Sequence, residues 1–85
     1  MIDNTELAYQ QSLAIPAEIR ADVAKVVERN KNMIRWPDAD LKYLFEVWNR
    51  YMTKDPEDIT CPGCRSKVVS KMRRIVGIWV LKEEI

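Results

Sequence analysis

The sequence predicts an all-α protein, a small three-helix bundle preceded by an N-terminal arm or short helix. Three observations carry this. Apolar residues recur at spacings of three and four in three separate segments. Prolines stand at the openings of those segments, where a missing amide proton is tolerated. No segment alternates apolar and polar residues with turn signals on both sides, although "IVGIWVL" (75–81) is β-prone in composition.

Residues 1–14 come first. "TELAYQQSLAI" carries Leu7, Ala8, Tyr9 and Leu13 among polar neighbours. That is enough apolar surface to favour docking, on the bundle or on a partner, over a free tail. Residues 15–85 are expected to form the single domain.

Pro16 opens "PAEIRADVAKVVERNKNMI", in which Ile19, Val23, Val26 and Val27 share one helical face. Glu18, Asp22, Lys25, Glu28, Arg29 and Lys31 make the solvated face. Acidic residues lead and basic ones trail, the order that suits the helix dipole. The pattern predicts a helix over 16–33.

Pro37, Asp38 and Asp40 mark the next start. Leu41, Leu44, Phe45, Trp48 and Tyr51 or Met52 then recur at three and four, with Lys42, Glu46, Asn49 and Arg50 outward. Tyr43 and Val47 widen the apolar surface beyond one stripe, so this helix, 37–53, is the expected centre of the bundle. It stops in "TKDPED", a turn-forming stretch around Pro56.

The third helix is predicted over 62–82. Val68, Val69, Met72, Ile75, Val76 and Trp79 form its stripe. Gly77 interrupts it at a cost of about 1 kcal/mol relative to alanine, and leaves room for close approach of another helix or a partner.

Composition narrows the function. Eighty-five residues, 47% apolar and 32% charged, suit one globular domain. The chain has no histidine. No Ser-His or Cys-His catalytic pair can exist within it, and the commonest metal ligand is missing. An enzyme is not expected, nor is a cofactor. Fourteen basic and thirteen acidic residues leave a net charge of +1, so nucleic-acid binding would have to rest on local charge. The N-terminal stretch lacks the basic and apolar regions of a signal peptide. The run at 75–81 is too short to span a bilayer. A cytoplasmic location is the default expectation.

"TCPGCRSKVVSKMRR" (60–74) holds both cysteines. Cys61 and Cys64 admit three chemistries. As zinc ligands they are half a site, needing a second chain or carboxylates such as Asp55 or Asp58. As a redox pair they sit at a helix start, which lowers the pKa of the first thiol. As packing residues they begin the third helix, with Thr60 or Cys61 as cap, Pro62 in the first turn and Cys64 toward the core. The packing reading is favoured. A thioredoxin fold is rejected, because the upstream strand and the βαβ pattern are missing.

From Ile59 to Leu81 there is no acidic residue, while Lys67, Lys71 and Arg74 share one helical face. Such a face can be merely solvated, can pair with the acidic "DPED" turn (55–58) or the first predicted helix, can track phosphates, or can meet an acidic protein. The long connection before it does not suit a helix-turn-helix. Trp36, Tyr43, Trp48, Tyr51 and Trp79 are more large side chains than three short helices easily enclose. Some are expected at the surface as anchors for a partner.

The order of an aromatic-rich helix "LKYLFEVWNRYM", an acidic turn and "CPGCRSKVVSKMRRIV" resembles a pattern in small helical proteins encoded by bacteriophages. The resemblance covers roughly 41–76 and implies a minor virion component or a host-directed accessory factor, in the virion or the host cytoplasm. The expected function is therefore non-enzymatic protein binding, through Trp36, Tyr43, Trp79, Lys67, Lys71 and Arg74. Nucleic-acid binding through the third helix is the alternative. The oligomeric state is open.

Overall fold

The computed structural model describes residues 4–85, Asn4 by its backbone only. Residues 1–3 of the predicted arm lie outside the described residues. Four helices follow one another: α1 (Asn4–Ser12), α2 (Ala17–Arg29), α3 (Asp38–Tyr51) and α4 (Pro62–Leu81). Among the described residues there is no strand, and 75–81 continues α4. The all-α expectation stands, but a three-helix bundle does not describe the fold. The described residues form four helices, and α1 packs on α4. No helix among the described residues is long and apolar enough to cross a membrane.

The expected centre also moves. It is α4, not α3, that packs most extensively against the other three helices. At 1.5 Å per residue its 20 residues are about 30 Å long, matching the longest dimension of the molecule, 30 Å. Val68, Met72, Ile75 and Trp79 on α4 are all completely buried. Around them lie Val23, Val26 and Val27 of α2, and Leu41, Leu44, Phe45, Val47 and Trp48 of α3. The predicted stripes are thus the observed core, with Ile19 and Val69 at its edge.

What makes α1 a true member of the fold is its far end. Ser12 is fully buried. Its hydroxyl donates to the Tyr9 carbonyl and accepts from the Trp79 indole N–H at 2.9 Å. Ile15 follows, 1% exposed, and Pro16 starts the next helix. Leu7 on α1 and Leu13 in the turn after it remain exposed.

The C-terminus completes this contact. The amides of Glu83 and Glu84 donate to the carbonyls of Val80 and Trp79 at 3.2 and 2.9 Å, the crossed pair of a Schellman closure. Glu83 takes the left-handed position there, with φ 55°. That costs a non-glycine residue about 1–2 kcal/mol. The reversal brings Glu84 under α1, where its carboxylate accepts from the Tyr9 hydroxyl. The Lys82 ammonium lies 4.6 Å from the Tyr9 ring centroid. The hydrogen bond to Glu84, and then burial, push the Tyr9 phenol up to about 12.

Helix α2 ends four residues before the predicted 33. Asn30 is the cause. Its side chain is buried, and its amide donates to the Val26 carbonyl and to Asp40 Oδ2, both at 2.8 Å. Asparagine at a helix end competes for backbone groups in this way. Arg29 joins it on Asp40, its Nε donating at 3.0 Å. The end of α2 is thereby clamped to the first turn of α3.

The Arg29 hydrogen bond, then that of Asn30, hold the Asp40 carboxyl below the usual carboxylate range. A carboxyl depressed in the folded state contributes stability above its unfolded pKa. That contribution is lost as pH falls through the unfolded and then the folded value. Urea-unfolding midpoints should therefore drop below about pH 4, and Asp40→Asn should flatten that acid limb while lowering stability at pH 7. An identical acid limb in the variant would show that the clamp contributes nothing.

Gly77 is exposed, and a Cβ built there would meet nothing within 4 Å. No neighbouring helix of the chain uses the space, one of the two uses the sequence left open for it.

Candidate functional site

The chemistry-bearing residues gather around the first three turns of α4. The approach to this helix is tied to α3 by a reciprocal pair of hydrogen bonds. Asn49 Oδ1 accepts from the Glu57 amide at 2.8 Å, and Asn49 Nδ2 donates to the Glu57 carbonyl at 3.3 Å. Asp58 Oδ1 then accepts from the amide and hydroxyl of Thr60 at 2.9 and 2.7 Å. These bonds satisfy a polar turn that has little to bury, and they aim the Glu57 carboxylate at α4.

Cys61 is the N-cap and Pro62 the first residue of α4, as one of the two sequence-based options had it. The Cys61 sulfur accepts from the Cys64 amide at 3.3 Å. Both cysteines are free and half-buried, so Cys64 lies at the rim of the core and not within it. Hydrogen bonds from the Cys64 thiol and amide hold the Cys61 thiol below its usual range. The Cys64 thiol is pushed up to about 11 by its hydrogen bond to Cys61, by burial and by the Glu57 carboxylate. Glu57 itself accepts from Lys67 Nζ at 2.7 Å, which with the Cys64 contact lowers its carboxyl pKa. Among the described residues no group of three or more His, Cys, Asp or Glu side chains is arranged to hold a metal.

On the neighbouring face a cleft of about 340 Å³ runs between the α2–α3 connection and α4. Met33 and Ile34 stand at its lip, 46% and 106% exposed. Arg35, Arg65 and Arg73 line it, against a single acidic residue, Asp38. Arg73 donates to the Lys31 carbonyl at 3.1 Å and so fixes the loop to the helix. Arg65 donates to the Thr60 carbonyl at 3.4 Å, and its Nε has no partner among the described residues.

The residues singled out in the sequence do not form one surface. Trp79 is completely buried, with its N–H spent on Ser12. It is a core residue here and offers nothing to a partner. Trp36 is 7% exposed and only borders the cleft. Tyr43 is half-buried on α3, where burial, followed by Asp22 and Glu46, raises its phenol pKa. The aromatic surplus has gone into the core because α1, expected as an arm or short helix able to dock on the bundle or on a partner, docks on the bundle and covers Trp79. Lys67 is paired with Glu57. With Lys71 it borders a second cleft of about 310 Å³ that also includes Gln11, Trp48 and Glu57. Arg74 is exposed.

Missed were Met33, Ile34, Arg35, Arg65 and Arg73. The last two carried a legible signal, since Arg65, Val69 and Arg73 recur every four residues on one face of α4. Met33 was assigned to a helix that in fact ends at Arg29.

The fold is that of a small all-α protein that carries a half-apolar, arginine-lined cleft. No protein-family model, no curated protein and no solved structure matches the chain.

Proposed function

We propose that this chain is a non-enzymatic helical protein that binds another protein through the cleft between the α2–α3 connection and α4. The observation that carries this is the exposed Met33–Ile34 pair beside Arg35, Arg65 and Arg73. Adjacent apolar side chains held in water at the edge of a cationic cleft are costly unless something covers them. The fitting partner is an acidic segment that presents an apolar side chain. Its carboxylates would meet the guanidinium groups in charge-assisted bonds. A minor virion component or host-directed accessory role, as the phage resemblance implies, is consistent with such a surface.

The nucleic-acid reading has less support. Of its three residues, Lys67 is already engaged by Glu57, whose carboxylate would repel a phosphate brought to it.

Fluorescence anisotropy with three probes tests the proposal: a peptide alternating Glu and Leu, its Lys/Leu counterpart, and a duplex DNA. The acidic peptide should bind best. Arg65→Glu/Arg73→Glu should weaken it by roughly tenfold or more, as expected from losing two charged contacts, and Ile34→Ser by less. Equal binding of the basic peptide, or DNA binding that survives the double variant, would reject the cleft as the site.

A further inference from the structure

Both thiols lie outside the binding reading. We propose that Cys61 and Cys64 form a dithiol that exchanges with small disulfides, Cys61 attacking and Cys64 resolving, with Glu57 as the positioning residue that tells the two apart.

The geometry supplies each part. Cys61 caps α4, so its sulfur sits where the helix end favours negative charge. It accepts the Cys64 amide at 3.3 Å and is half-exposed, within reach of an incoming disulfide. Gly63 leaves its flank open, and even a Cβ there would come no nearer to the sulfur than 3.9 Å. Cys64 lies one turn on, facing both the Cys61 sulfur and the Glu57 carboxylate. Glu57 is held in place by Asn49 on one side and Lys67 on the other. A carboxylate against Cys64 keeps that thiol protonated, which leaves Cys61 as the thiolate. The difference in thiol acidity noted above agrees with this order.

The Cys61 thiolate attacks one sulfur of a disulfide RSSR. A Cys61–SR bond forms, the S–S bond breaks, and RS⁻ leaves with the electron pair. Cys61 no longer carries charge, so its hold on the Cys64 proton is gone. The Cys64 proton passes through solvent to the departed RS⁻, giving RSH, and the new thiolate attacks the Cys61 sulfur. A second RS⁻ leaves. Two electrons have moved from the cysteine pair to the substrate, which is now one RSH and one RS⁻. The co-reactant is a low-molecular-weight disulfide such as oxidised glutathione, the probe used below.

The test incubates the full, reduced chain in buffers of increasing oxidised-to-reduced glutathione ratio and reads products by intact mass. The wild type should become a monomer lighter by two hydrogens. Cys64→Ser should stop at a glutathione adduct on Cys61, whereas Cys61→Ser should react at least about tenfold more slowly at neutral pH. Glu57→Gln should move the pH profile of Cys64 alkylation to lower pH, an effect that loss of packing alone does not produce. Free thiols throughout the series, or equal trapping in the two serine variants, would overturn the proposal. This assay needs no protein partner, so its outcome is independent of the cleft.

Discussion

Trp79→Ala is expected to lower the unfolding free energy by about 3–5 kcal/mol, the range for deleting a large aromatic side chain from a packed core. Trp79 is completely buried, on the helix that touches every other one. A domain of 85 residues typically has roughly 4–13 kcal/mol in all, so the variant should be close to unfolding at room temperature. Trp79→Phe separates the two contributions of the indole. It keeps most of the volume but removes the donor to Ser12, whose hydroxyl retains only its bond to the Tyr9 carbonyl. About 1 kcal/mol is the expected loss for that hydrogen bond, with a further amount for the smaller ring. Urea denaturation followed by circular dichroism reads both. An alanine variant as stable as wild type would mean that Trp79 is not in the core as described.

Removal of residues 1–13 is the second large effect. Three helices would remain, the number the sequence led one to expect. The truncation strips Ala8, Tyr9 and Ser12 from the core and uncovers Trp79. Tyr9 alone is 3% exposed, and its burial with that of the Trp79 face should be worth about 3–6 kcal/mol. The truncated chain should show red-shifted tryptophan fluorescence, bind a hydrophobic dye, and unfold at much lower urea. It should also lose the anchorage of Glu84, since the Tyr9 hydroxyl is its donor. Should the shortened chain unfold at the wild-type midpoint, α1 would be an accessory to a self-sufficient three-helix core. Tyr9→Phe, which removes only the hydroxyl, should be far milder and shows whether the loss comes from the ring or from the hydrogen bond.

Much of the local structure was legible in the order of residues. The stripes Val23–Val26–Val27, Leu41–Leu44–Phe45–Trp48 and Val68–Met72–Ile75–Trp79 were read as buried faces, and they are the core. The start of α4 at Pro62, with Cys61 as one of two named caps, followed from helix-end chemistry. Less legible was where α2 stops. Its apolar period runs toward Met33, and only the bond from Asn30 to Asp40, ten residues away, explains the earlier end.

The candidate sites were legible in kind but not in membership. The cysteine pair and the basic character of α4 stood out, yet the carboxylate that touches Cys64 comes from a loop fixed by Asn49 of α3. Lys67 drew attention as part of a basic face, and the same loop pairs it through Glu57 of the acidic turn. The arginines of the cleft were passed over because nothing in their neighbourhood along the chain says that Met33 and Ile34 fold across from them.

Helical periodicity is a property of neighbours three and four apart, so the sequence alone determined that this is an all-α protein and which faces are apolar. Which helix lies at the centre, whether an aromatic ring is anchor or core, and what stands beside each thiol depend on contacts between distant segments. The bond from Trp79 to Ser12 spans 67 positions and that from Tyr9 to Glu84 spans 75. Such pairings are chosen by the packing of the whole chain at once, and only the tertiary structure decided them.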